Sequence, residues 1–335
     1  MKVFTVVLVV LLAVGVGVNV AAMCGRRFID PATAMMLYRN VDDRLAKKAA
    51  IMLRPRPRVV VFGSSRALGI TSRATGVTSD QFLNAAVGGA AVEDYAALWR
   101  VLEQHGKVPE IALFSIDPWV FSRTQPPPRW RSLAPEVAAS LGPSVEGAPV
   151  PTVAEEIRYR WDAFTELFSF NVLRASARDL RRLWRARARS AEAAAAMDDE
   201  DYGRHWPALS PAELRRRAIE YGREGGGVPD PHWDERRAAW LKRLWAAMRA
   251  RGVRIVAYVP PYHPDALAAV REDPAHRAFL EAVDRFLVGV AGTLGVTFVD
   301  VADPATIPCA ADEFWDGHHA KTACLDRLTS RLLHT

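Results

Sequence analysis

The chain has 335 residues, half of them hydrophobic by type, and a formal net charge of +6. That length is ample for a buried core in one large or two small domains. The charge suits an anionic membrane, an acidic polysaccharide or nucleic acid, but no zinc-finger, RNA-recognition or helix-turn-helix signature accompanies it, which sets nucleic acid aside as a partner.

The first element in chain order is "VFTVVLVVLLAVGVGVNVAAM", uncharged from Val3 until Arg26-Arg27. A bilayer crossing takes roughly 20 apolar residues, whereas the apolar core of a cleaved signal runs about 7–15. The length favours an uncleaved signal anchor over residues 1–25, followed by a juxtamembrane linker over 26–55. Cleavage after Ala22, with Val20 at the −3 position, is the alternative. A lipoprotein reading of Cys24 is disfavoured by Met23, where a small residue is wanted. No second span follows, so the remaining chain is expected on one side of the membrane, in the periplasm or outside the cell.

Five short, nearly continuous apolar runs come next: "RVVVFG" (58–63), "QFLNAAV" (81–87), "EIALFSI" (110–116), "VRIVAYV" (253–259) and "VTFVDV" (296–301). Continuous rather than alternating runs read as strands buried on both faces. Helix-compatible stretches separate them. Residues 91–106 end at Gly106 with His105 in the last turn, residues 234–252 place Trp240, Leu241, Leu244, Trp245 and Met248 at helical spacing, and residues 276–295 precede the fifth strand. Strand–helix alternation implies an α/β fold with a mainly parallel sheet, whose strand C-termini are where function collects.

Residues 125–231 break this rhythm. They open with "QPPPRW", close with "REGGGVPDP", and read as a largely helical insertion between the third and fourth strands. Within it lies a strongly basic stretch with an apolar stripe of Leu173, Leu180, Leu183 and Trp184. It is either a solvated amphipathic helix or a contact for anionic headgroups or an acidic glycan. Near the C-terminus, Cys309 and Cys324 are either a disulfide in an oxidising compartment or two buried thiols.

The strand ends carry the chemistry. The first supplies Gly63-Ser64-Ser65-Arg66, the second Asn84 and Gly88-Gly89, and the third Asp117. After the fifth, "DEFWDGHHAKTACLDRL" sets Asp316 three residues before His319. A serine hydroxyl is a poor nucleophile near neutral pH and needs a base, a carboxylate to orient that base, and donors for the developing oxyanion. Serine at the first strand end, His319 and Asp316 on the last loop, and glycine N–H groups from the second meet that need. Competing roles stand beside these: Ser64 and Ser65 as helix caps, Asp316 as an N-cap, His318 as an exposed neighbour, Gly88 in place of Gly89, Arg66 in a structural ion pair and His263 in a surface loop. His318, His319 and Asp316 lack a further matching ligand set, so no metal or other cofactor is expected.

These residues, in this order, resemble the SGNH (GDSL-like) hydrolase superfamily. The first block of that family matches Gly63-Ser64-Ser65 and points to Ser65 as nucleophile. The second matches "NAAVGGA", with Gly89 and the Ser65 N–H as oxyanion donors. The last, Asp-x-x-His, matches Asp316 to His319. The third departs: where the family has Gly-x-Asn-Asp, this chain has Ser115-Ile116-Asp117-Pro118. A charged Asp117 would repel an oxyanion, so it must be protonated, turned away or otherwise used. "GSSR", the strand ending in Asp-Pro and "VPPYHP" look like the membrane-anchored, exported members of bacterial cell-envelope modification, including relatives in alginate O-acetylation and D-alanyl transfer to teichoic acids.

The resemblance covers residues from about 56 to the end, outside the insertion. It implies a three-layer sandwich with a flavodoxin-like five-stranded sheet, and a serine esterase or O-acyltransferase using Ser65, His319 and Asp316. Arg66, Asn84, Asp117 and His263 are expected to line the substrate cleft. The implied partners are an acylated polysaccharide or other ester, the membrane through the N-terminal helix, and a membrane-bound acyltransferase. The alternative is a non-catalytic scaffold of the same fold that binds glycan or serves envelope assembly.

Overall fold

In a computed structural model of the chain, residues 43–124, 129–141, 206, 208–307 and 309–334 are described. The N-terminal apolar run, Cys24 and the Leu173–Trp184 stripe lie outside these residues. Among the described residues no helix is long and apolar enough to cross a membrane. The chain forms two compact units, one of Met1–Leu53 with Leu141–Ala194 and one of Arg54–Ser140 with Ala195–Thr335. Of the first, the described part is essentially helix α1 (Asp43–Leu53), which occupies a stretch expected to be linker.

The second unit is an α/β fold. Strands β1 (Val59–Phe62), β2 (Phe82–Asn84), β3 (Ile111–Ser115), β4 (Arg254–Val259) and β5 (Thr297–Asp300) form one sheet in the order β2-β1-β3-β4-β5. Every pairing is parallel; Val61 sits opposite Asn84 on one side and Leu113 on the other. The order reverses direction between β1 and β3, the switch point at which doubly wound sheets bind ligands. The expected strands are found, each shortened by a residue or more at its ends.

Pleating sends alternate residues to opposite faces, and each face is covered. On one, Phe62 and Phe114 stack at 4.7 Å, with Tyr95 and Trp245 edge-on against Phe114 at 5.7 and 5.6 Å. These rings come from helices α3 (Val92–Gln104) and α6 (Glu235–Ala250). On the other, Val59, Val61, Leu113, Val256 and Tyr258 pack with Leu325, Leu328 and Leu332 of helix α9 (Thr322–His334). Helix α2 (Ser72–Thr75) lies between the first two strands, and α8 (Pro274–Leu294) precedes β5.

The segment expected as an insertion leaves and returns at one place. Arg123 N–H donates to His232 O at 2.9 Å and Asp234 N–H to Phe121 O at 2.8 Å. Arg237 of α6 fastens this neck, donating to Ser122 O at 3.0 Å while pairing with the buried Glu93 of α3. Helix α4 (Ala134–Leu141) follows the outgoing strand of the neck. The returning part is not peripheral. Helix α5 (Pro211–Arg223) is capped by the Ser210 hydroxyl, which accepts from Glu213 N–H at 3.2 Å, and packs against α7 (Pro264–Glu272). Cys309 and Cys324 form a disulfide that closes the loop between β5 and α9.

Candidate active site

β1 ends at Phe62, and from Gly63 the chain turns into a short 3₁₀ segment, Ser65–Ala67. A Cβ on Gly63 would stand 2.7 Å from that of Ala67 and 2.8 Å from that of Ser115, so only glycine lets the turn fold back against β3. The two serines separate cleanly. Ser64 is fully buried, and its Oγ accepts from Arg66 N–H at 3.2 Å, capping the turn. Ser65 is partly exposed, and its Oγ lies 2.9 Å from His319 Nε2.

The last loop supplies the partners of Ser65. Asp316 Oδ1 accepts from the backbone N–H of His318 and of His319, each at 2.8 Å, and its Oδ2 meets His319 Nδ1 at 2.7 Å. Burial alone would raise the Asp316 carboxyl, but the hydrogen bond from His319 and the charges of both histidines hold it well below the usual carboxylate range. An ionised carboxylate only accepts, so His319 Nδ1 carries the proton and Nε2 is left to accept from the Ser65 hydroxyl. Ser65, His319 and Asp316 therefore form one continuous hydrogen-bonded relay, and Asp316 doubles as the cap of its own loop.

His318 is not the exposed neighbour expected. Burial pushes its pKa well below the usual histidine value, aided by the charge of His319. Its ring stacks on that of Tyr221 at 4.1 Å and 11°. Trp206 lies over His319, ring centroids 4.5 Å apart. Both aromatic residues come from the segment read as an insertion. The Ser210–Glu213 cap was the available sign of a helix there; Trp206 carries no such sign.

No family model matches the chain, and no curated protein matches it.

Gly89 is exposed with φ +58°, a conformation that favours glycine, and its N–H makes no hydrogen bond among the described residues. The turn that carries it is anchored beside Ser65 by Val87 N–H donating to Gly63 O at 3.0 Å. The Arg129 guanidinium passes over Gly89, with Nη1 3.6 Å from the point where a Cβ would stand.

The four residues expected to line the cleft are used structurally. Asn84 donates to the carbonyls of Ala67, Leu68 and Ile70 at 2.9–3.2 Å and accepts from Ala86 N–H at 3.0 Å, tying β2 to the Ser65 turn. His263 is 2 % exposed; its Nδ1 accepts from Asp265 N–H and caps α7, and burial lowers its pKa. Arg66 is 1 % exposed, with its donors turned to protein acceptors. Asp117 is fully buried and accepts from Arg66 Nη1 at 3.1 Å. Burial raises the Asp117 carboxyl above its usual range, only partly offset by the Arg66 charge and the Ser64 hydroxyl. Of the three options open to Asp117, the structure selects another use. A side-chain oxyanion donor does not come from this position.

Asp316, His318 and His319 also bring potential ligand atoms within 4.8 Å of one another. Both His319 nitrogens are already engaged by Asp316 and Ser65, so a cation there would have to dismantle the relay.

Proposed function

We propose that this chain is an SGNH-type serine acyl-ester hydrolase or O-acyltransferase, exported and membrane-anchored, acting on a cell-surface polysaccharide. The observation that carries this reading is the relay in which Ser65 Oγ, His319 and Asp316 meet at 2.9 and 2.7 Å. The strand order at the β1/β3 switch point supports the flavodoxin-like, three-layer architecture of that superfamily. The Cys309–Cys324 disulfide supports an oxidising compartment.

In this reading Ser65 Oγ attacks the acyl carbonyl carbon as its proton passes to His319 Nε2. Asp316 steadies the imidazolium. The N–H groups of Ser65 and Gly89 hold the tetrahedral oxyanion. Collapse breaks the bond to the leaving alkoxide, which takes the proton from His319, and leaves the acyl group on Ser65. Water or a sugar hydroxyl then gives its proton to His319, attacks the acyl-enzyme and restores the serine.

The test is labelling of the whole protein with a fluorophosphonate probe, with Ser65→Ala beside it. Labelling that vanishes in the variant is expected. Equal behaviour of the two proteins would reject the nucleophile and favour a non-catalytic glycan-binding or envelope-assembly role.

A further inference from the structure

Arg66 follows the candidate nucleophile directly, yet its side chain runs inward and is 1 % exposed. Each nitrogen of its guanidinium meets a different part of the site. Nε donates to His318 O at 3.1 Å, one residue before the base. Nη1 donates to Asp117 Oδ1 at 3.1 Å, at the end of β3. Nη2 donates to Pro260 O and Pro261 O, both at 2.8 Å, just past β4. The guanidinium carbon sits 4.2 Å from the centre of the Tyr262 ring. One planar cation thus joins the ends of β1, β3 and β4 to the loop that carries His319 and Asp316.

Two things separate this from ordinary core stabilisation. The first is where the bonds fall. The acceptor on the last loop is the carbonyl adjoining His319, and the donor residue adjoins Ser65, so movement of the guanidinium acts on both ends of the 2.9 Å Ser65–His319 contact. The second is the demand for a fork. The acceptors lie around a plane in different directions, which suits the rigid five-donor guanidinium and not a single ammonium point. Asp117 supplies the side-chain acceptor that keeps the fork in place, which accounts for a carboxyl where an oxyanion donor was expected.

We propose that Arg66 is a positioning residue that sets the Ser65–His319 contact, with Asp117 as its anchor. The proposal rests on the serine-nucleophile reading, and the test separates the two. The whole protein and its Arg66→Lys and Asp117→Asn variants are compared for kcat and KM on 4-nitrophenyl acetate and for the rate of fluorophosphonate labelling. Measurements are made well below each variant's own melting temperature, so that only folded protein is read.

A misplaced base lowers the chemical step without altering how a small ester binds. Arg66→Lys is therefore expected to lose between about tenfold and a hundredfold in kcat, with a matching loss in labelling rate and KM within about twofold. Asp117→Asn keeps the shape and one acceptor oxygen but weakens the anchor, and is expected to lose a smaller factor, again in kcat. Should Arg66→Lys not fold, Asp117→Asn decides the matter. Wild-type kcat in the folded variants, or a loss confined to KM, overturns the positioning role while leaving Ser65 as nucleophile. A wild-type protein with neither turnover nor labelling removes both proposals together.

Discussion

Two carboxylate oxygens of Asp316 hold three donors, and that is enough to keep the group charged despite its partial burial. A carboxyl depressed in this way contributes stability that is complete above its unfolded pKa and is lost only as the pH falls through its much lower folded value. The histidines behave in the opposite sense. His263 and His318 are both buried in the neutral form, with folded pKa values lowered chiefly by burial. Their contribution is complete above the unfolded value near 6.5 and shrinks as the pH falls below it, where the unfolded chain takes the proton more readily. The cap made by His263 on α7 allows a clean test. His263→Asn retains a good N-cap acceptor but no longer titrates. Melting temperature followed from pH 7 to pH 5 is expected to fall less steeply in the variant than in the wild type. The difference is bounded by about 1.4 kcal/mol per pH unit for one histidine. Equal slopes would mean that His263 does not bear this cost.

The residue scale is also where sequence was most and least informative. Asp316 and His319 sit three apart on one loop, and Ser65 follows a strand-ending glycine, so the three residues that meet in the relay stand out by local spacing. Arg66, Asp117 and His263 look like cleft residues because they are polar and flank turns. The Asp117 carboxyl pairs with the Arg66 guanidinium, while the other partners of Arg66 and His263 are the carbonyls of Pro260, Pro261 and His318 and the backbone N–H of Asp265, groups that every residue type shares. A backbone acceptor leaves no trace in side-chain patterns.

At the scale of elements, the loop between β5 and α9 carries His319 and Asp316 and is pinned at both ends. Cys309 and Cys324, separated by 15 residues, enclose Asp316, His318 and His319. Cys324 lies in the core beneath the sheet with Leu325 and Leu328. A cross-link of this span stabilises by roughly 3 kcal/mol. For a domain of this size that is about 6–12 °C in melting temperature. Replacing both cysteines with serine is expected to lower the melting temperature by such an amount and to reduce the rate of Ser65 labelling, read by scanning calorimetry and probe kinetics. An unchanged melting temperature would show that the loop is held without the cross-link. The strands were legible because their β-branched runs are continuous and end in turn residues. Helix α7 was not, since "PPYHP" reads as loop and the apolar face of Ala266, Leu267, Ala269 and Val270 begins only after it. The pairing of α5 with α7, which carries Tyr221 onto His318, depends on tertiary packing that no local pattern records.

At the scale of the whole second unit, sheet order and site location are one fact. Parallel strands wound in opposite directions from β1 and β3 open a crevice at their C-terminal ends. Ser65, Gly89, Asp117 and the Asp316–His319 loop all leave the sheet at that edge. Alternating strands and helices made this architecture readable, as was the break in that alternation between β3 and β4. The role of that segment was not, because Trp206 and Tyr221 return to cover the two histidines. Covalent acylation of Ser65 is the step on which the proposed chemistry turns. The direct measurement is to mix the whole protein with 4-nitrophenyl acetate, quench in acid within the first turnover, and map the peptides by mass spectrometry. One acetyl group on Ser65, absent in Ser65→Ala and strongly reduced in His319→Ala, is the expected result. Nitrophenol release with no acetyl on Ser65, or with the same acetylation in all three proteins, would contradict it.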